Sequence, residues 1–325
     1  MLFQSRILYL ISAVLIFSSC RKKEIAIKPL DRGDVVTSSV DMNTDYKYQI
    51  FYSLKQNAVV ATNLKTDWDL AFESEPTGSH VKLNSAKAMY AYNTGQTTFS
   101  LVTDTSGFGV NKKCDSPTGN LDSIALYNWQ SGTPVFILDR GYNSTGVHQG
   151  FKKIQVLSSS TSDYSFKVAD VNGANEVTMT VPKNSIKNFT YISLTSNQVA
   201  TIEPDKNNYD LLFSQYTHVY SNPYSTYLVM GVLINPYKVK VAAVSDIDFA
   251  NIQLNDTITH PFSTFQNSIG YDWKFYDLPN SVYIIYPSKC YIIRDVEGYF
   301  YKLHFIDFYN QLGQKGAPKW EFKRL

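Results

Sequence analysis

Segments of this chain answer one another at a nearly constant distance, and that recurrence constrains the fold more than any other feature. Asp67-Trp68-Asp69-Leu70-Ala71-Phe72 is answered by Asn208-Tyr209-Asp210-Leu211-Leu212-Phe213. Val81-Lys82-Leu83-Asn84 is answered by Val232-Leu233-Ile234-Asn235, and Ile124-Ala125-Leu126-Tyr127-Asn128-Trp129 by Ile269-Gly270-Tyr271-Asp272-Trp273. Val135-Phe136-Ile137-Leu138-Asp139-Arg140-Gly141 has its echo in Tyr291-Ile292-Ile293-Arg294-Asp295-Val296-Glu297-Gly298. Phe151-Lys152-Lys153-Ile154 has one in Phe300-Tyr301-Lys302-Leu303. Trp68 and Tyr209 lie 141 residues apart, Trp129 and Trp273 144, and Lys153 and Lys302 149. One such pair means nothing; several at a steady spacing point to two structural units. The expectation is two tandem antiparallel β units, about residues 44–200 and 201–325. The competing reading is one irregular β-sandwich with coincidental echoes.

The strand assignment rests on residue type and spacing. The 24 Tyr and 19 Phe, with frequent Val, Ile and Thr, favour pleated strands. Apolar runs are short and separated by Asn, Gly, Pro, Asp and Ser clusters, the punctuation of antiparallel sheets. The stretch Ile292 to Phe305 reads as strand, tight turn, strand. Tyr301, Leu303 and Phe305 fall on one face, and Lys302 and His304 on the other.

The N-terminus reads as an export signal. Arg6 precedes an apolar run from Ile7 to Phe17, too short to span a bilayer, which needs about 20 residues. Ser18 and Ser19 are small, and Cys20 follows. Leu15-Ile16-Phe17-Ser18-Ser19-Cys20 resembles a bacterial lipobox. That resemblance implies a signal peptide over 1–19 and a covalent diacylglycerol with further acyl chains (palmitate among them) on Cys20, which together hold a membrane firmly. Cleavage after Ser19 without lipid is the alternative. Residues 20–43 are polar and basic at first, and are expected to form a lipidated tether beside the lipid bilayer. Without residues 1–19 the chain carries 29 basic and 28 acidic residues. A near-neutral balance argues against nucleic acid, which needs a concentrated basic surface.

The repeated markers resemble the HmuY-like family of haem-binding lipoproteins of the Bacteroidetes. The likeness rests on Trp68-Asp69-Leu70-Ala71-Phe72 with Asn84, on Ile292-Ile293-Arg294-Asp295 with Gly298, and on Tyr301 to Asn310. Gly316 and Trp320-Glu321-Phe322-Lys323 complete it. The resemblance implies an all-β fold: two tandem HmuY-like units after a lipoprotein signal peptide. It also implies an outer-membrane lipoprotein that takes haem or a related tetrapyrrole and passes it to a TonB-dependent outer-membrane transporter, with no enzymatic step. Family members hold haem iron between histidines, or by methionines, in loops ahead of the last strands. Here those loops read Tyr127 to Gly132 and Trp273 to Leu278, with neither residue type, so no ligand is carried over.

Five histidines remain as possible iron ligands: His80, His148, His218, His260 and His304. Haem iron needs imidazole or another donor together with an apolar slot. His80 and His218 each follow an aromatic-Asp-Leu-x-Phe strand among tyrosines, with Met89 and Met230 nearby. These four residues are the candidate haem ligands; surface imidazoles on loops are the alternative. The tyrosines serve either as sheet faces and core or as a stacking surface for porphyrin or carbohydrate. A protein- or glycan-binding module at the cell surface is the second functional reading. No Gly-x-Ser-x-Gly, His-Glu-x-x-His or phosphate-binding loop is present. Asp67/Asp69 and Asp246/Asp248 are expected on solvated faces. Cys114 and Cys290 are left either paired in an oxidising envelope or as buried thiols.

Overall fold

A computed structural model describes residues 33–325. The expected signal peptide over 1–19 and Cys20 lie outside the described residues. The strands of the first part are β1 (Val36–Ser39), β2 (Tyr48–Ser53), β3 (Ala58–Leu64), β4 (Leu70–Glu73), β5 (Val81–Leu83), β6 (Tyr90–Asn93), β7 (Phe136–Asp139), β8 (Phe151–Ser159), β9 (Asp163–Ala169), β10 (Val177–Pro182), β11 (Phe189–Ser193) and β12 (Gln198–Ala200). There follow β13 (Leu211–Ser221), β14 (Tyr224–Ile234), β15 (Lys240–Val244), β16 (Lys274–Asp277), β17 (Val282–Ile285), β18 (Cys290–Arg294), β19 (Phe300–Tyr309) and β20 (Lys315–Arg324). All pairings are antiparallel, and the helical turns between strands are short.

Two sheet pairs share one strand order. A four-stranded sheet β12-β11-β4-β5 accompanies a five-stranded sheet β10-β9-β8-β7-β6. A four-stranded sheet β3-β2-β13-β14 accompanies a five-stranded sheet β1-β20-β19-β18-β15. The buried hydrogen bonds correspond as well. The Asn84 side-chain amide donates to the Lys65 and Trp68 carbonyls at 2.7 and 2.8 Å. Asn235 donates to the Lys206 and Tyr209 carbonyls, both at 2.8 Å. Lys153 Nζ donates to the Phe99 and Val102 carbonyls over the Phe99 ring. Lys302 Nζ does the same for Ala250 and Ile252 over Phe249.

The strands do not divide at residue 200. Phe51 and its neighbours in β2 pair with β13, and β1 pairs with β20, so residues 36–64 complete the C-terminal sheets. β11 pairs with β4 in the same way. The corresponding hairpins turn at Asn57 and Asn197, both at positive φ (49° and 54°), a conformation Asn tolerates better than most residues. Residues 36–42, expected within the 20–43 tether, belong to the fold instead. Val36–Ser39 is an edge strand, and Val40 and Met42 are buried in the core beside Trp320.

Alternation places the core. In β9, Tyr164, Phe166 and Val168 are buried, while Asp163, Ser165 and Lys167 are only half-buried. Tyr301, Leu303 and Phe305 enter the C-terminal core as expected. The other face of β19 is covered by the turn at 249–252, so Lys302 is buried rather than solvated. Gly141 closes the turn after β7 at φ +65°, where a Cβ would collide with the Lys87 carbonyl oxygen.

Asp69 is not solvated. It is fully buried between Lys87 and the Arg140 guanidinium, and its Oδ2 also accepts the Leu194 amide at 2.7 Å. Burial opposes its ionisation, but the two cations outweigh burial and hold the carboxyl below the usual range. The cations lie 18 and 71 residues further along the chain. Both cysteines are free: Cys290 is buried in β18, and Cys114 Sγ lies 3.9 Å from the Tyr224 hydroxyl.

Candidate ligand pocket

The two sheet pairs differ in what they insert before the corresponding strands β7 and β18. Between β6 and β7 the chain makes short helical turns. Between β15 and β18 it also builds the extra hairpin β16–β17. That hairpin stands over the outer ends of β13 and β14, and between them lies an open cavity of about 740 Å³. Cavities of roughly 300–1,000 Å³ suit small-molecule ligands.

The walls are aromatic. Tyr220 and Tyr227 come from β13 and β14, Phe275 and Tyr276 from β16, and Tyr283 from β17. Tyr46, Tyr271 and Tyr286 close the sides. Phe275 stacks on Tyr286 with ring centroids 4.9 Å apart, and Tyr276 packs on Tyr283 at 5.0 Å. Tyr227 is 64% exposed, so its ring is open to an incoming partner. The Tyr220 and Tyr271 hydroxyls hydrogen-bond at 2.8 Å. Burial, and then that bond, raise the Tyr271 phenol above its ordinary value.

One lysine lies at the base. Lys274 is the first residue of β16, and its side chain turns inward. Its Nζ donates to the Met230 carbonyl at 2.8 Å and approaches the Tyr271 carbonyl at 3.4 Å. It also sits over the Trp273 ring at 4.2 Å and the Phe308 ring at 4.7 Å. Burial pushes its pKa down to about 7, against a weaker upward pull from Asp272. Asp272 itself pairs with Lys289 at the mouth of the cavity.

The four candidate ligands fall in different places. Met230 lines the cavity and is mostly buried. His218 sits within β13 rather than in a loop and is not among the lining residues. Its ring packs edge-on against Tyr220 and Tyr271 at 4.7 and 5.0 Å. Its Nδ1 is buried without a partner, and burial lowers its pKa. His80 lies elsewhere, on the turn before β5, where Nδ1 meets Glu73 Oε2 at 2.6 Å. Met89 is core, packed with Leu70 and Phe72. The structure therefore associates Met230 and, through two tyrosines, His218 with the cavity; His80 and Met89 have other surroundings. The other described histidines face carboxylates: His148 with Asp139, His260 with Asp246 and His304 with Glu321.

Lys274 and the hairpin aromatics were missed by sequence reasoning. The available signal was the density of rings from Tyr271 to Tyr291, with a lysine directly after the repeated tryptophan. A second cavity, lined by Lys82, Asp115 and Glu203, has only about 80 Å³ and suits a few waters rather than a ligand.

The family model of the HmuY protein matches residues 45–322. The chain belongs to the HmuY family. No curated protein sequence matches it. Solved structures similar to this HmuY-family chain include apo PinO from Porphyromonas gingivitis, at 8% identity, covering 90% of this chain and 98% of that one, with a TM-score of 0.36. They also include the apo HmuY analog of Tannerella forsythia, at 9% identity, 90% and 98% coverage and TM-score 0.26. A Bacteroides vulgatus protein described as HmuY-like and heme-binding is 12% identical, with 90% and 94% coverage and TM-score 0.25. In this HmuY chain the second of the two segments ahead of the last strands, Trp273 to Leu278, contributes Lys274, Phe275 and Tyr276 to the cavity wall.

Proposed function

We propose that this protein binds haem or a related tetrapyrrole in the cavity beneath β16–β17 and hands it on without altering it. The observation that carries this reading is the aromatic lining of that cavity in an HmuY-family chain. A porphyrin presents two broad apolar faces. Rings on facing strands take up such a face by offset stacking and edge contacts. The donor set argues against ligation by two imidazoles, since no histidine lines the cavity among the described residues. The Met230 thioether and the tyrosine oxygens are the iron donors the lining offers.

The wider setting is proposed from the sequence. Lipid on Cys20 would fix the domain to the outer membrane, and a TonB-dependent transporter would receive the ligand. The matching strand orders favour a tandem duplication whose N-terminal strands have exchanged partners. The units then run from 65 to about 204 and from 205 to 325, the second completed by residues 36–64. The exposed faces of Tyr227 and Tyr276 favour a second reading, glycan capture by stacking.

Titration with hemin, followed by its Soret absorbance, tests the ligand class. The expected result is a saturable, red-shifted band at one equivalent, weakened at least about thirtyfold in a Phe275→Ala, Tyr227→Ala double variant. That loss corresponds to roughly 1–3 kcal/mol per stacked ring. A titration without saturation, with a glycan array giving specific signal, would replace haem by the second reading.

A further inference from the structure

We propose that Lys274 is the charge-reading group of this cavity, and that the cavity selects a flat ligand carrying a carboxylate. The proposal rests on the tetrapyrrole reading and specifies how the ligand is recognised.

Three observations lead to it. First, Lys274 is peculiar to this half of the molecule: the first half has Gln130 after Trp129, where the second has Lys274 after Trp273. Second, Lys274 has no counter-ion among the described residues. Its hydrogen-bond partners are the backbone carbonyls of Met230 and Tyr271, and the neighbouring carboxylate of Asp272 is engaged by Lys289. An ammonium has three donors; two carbonyls leave one for a ligand. Third, the residue is only 6% exposed yet forms part of the cavity lining. A charge held away from water without a partner is costly. A carboxylate arriving over the rings supplies the missing counter-charge in surroundings that screen it poorly. Lys289, at the mouth, is already engaged and is less suited to that role.

The same geometry makes iron secondary. Stacking and the Lys274 contact act equally on a macrocycle with or without metal.

The experiment uses the full protein with hemin, iron-free protoporphyrin IX and protoporphyrin IX dimethyl ester, read by absorbance and porphyrin fluorescence. The wild type should bind the iron-free diacid within about threefold of hemin. A charged hydrogen bond is worth roughly 1.5–3 kcal/mol, so the dimethyl ester should bind about ten- to a hundredfold more weakly. Lys274→Met should lose the same factor for the diacid, so that its diacid-to-ester affinity ratio falls to about one. The ester comparison needs no mutation, so it stands even if Lys274→Met folds poorly. Equal binding of diacid and ester, or Lys274→Met binding the diacid like wild type, overturns the charge assignment while the tetrapyrrole reading survives. Hemin binding more than about a hundredfold tighter than the iron-free diacid also overturns it, because the metal would then dominate. Failure of all three compounds to bind removes the tetrapyrrole reading, and this inference with it.

Discussion

Asp69 and Asp210 offer a matched test of what holds each sheet pair together. Both follow the repeated aromatic and both are buried. Each accepts the amide of a corresponding leucine, Leu194 at 2.7 Å for Asp69 and Leu54 at 2.8 Å for Asp210. They differ in charge partners. Asp69 is enclosed by Lys87 and Arg140, whereas Asp210 has only a second amide, Val296 at 3.2 Å. Asp69→Asn strands two buried cations and should cost about 3–5 kcal/mol. Asp210 is the opposite case, since burial pushes its pKa from 3.8 to about 6. At about 1.4 kcal/mol per unit, keeping it ionised at neutral pH costs the fold about 3 kcal/mol. Asp210→Asn removes that cost but gives up one of two amide bonds, worth about 1–3 kcal/mol. The net change should lie within about 1 kcal/mol of zero, given these opposing magnitudes. Urea unfolding at pH 7, with the slope of free energy against urea unchanged, measures both. Equal destabilisation by the two substitutions would refute the reasoning, because the amide bonds rather than the cations would then decide.

Other outcomes follow from the same contacts. Lys153→Met and Lys302→Met each release two loop carbonyls and should cost about 1–3 kcal/mol apiece; lying in different sheets, the losses should add in the double variant by urea unfolding. Asp115 and Asp210, both raised by burial to about 6, keep protons in the folded chain that the unfolded chain loses above 3.8. Stability should therefore fall as pH rises through that window, by roughly 2.7 kcal/mol between pH 5 and 7 for the two groups together. Unfolding of the Asp115→Asn, Asp210→Asn double variant should lose that slope. Cys20→Ser should move the protein from the membrane pellet to the soluble fraction; a variant still in the pellet would contradict a lipid anchor.

Much of the β architecture was legible because it is written locally. Tyr301, Leu303 and Phe305 alternate into the core, and the Ile292 to Phe305 stretch carries its own turn. The pairing of β2 with β13 was not legible, since those strands are about 160 residues apart and nothing in a short window names a distant partner. A faint signal existed: Ser53-Leu54 with Asn57 is answered by Ser193-Leu194 with Asn197. Asp69 looked like an ordinary strand-face carboxylate for the same reason. The cavity was legible only in part. Met230 and, of the lining tyrosines, Tyr220 and Tyr227 stood out in the sequence, but the inward turn of Lys274 depends on Trp273 and Phe308 packing around it. His80 looked equivalent to His218 because each follows a similar motif, yet β13 runs on for eleven residues while β4 stops after four.

A crystal structure of the protein grown with hemin tests the assignment of the cavity most directly. The macrocycle should lie between β14 and the β16–β17 hairpin, in contact with Phe275 and Tyr227 and with a propionate at Lys274 Nζ. A macrocycle seated instead beside His80, with the hairpin cavity empty, would contradict it.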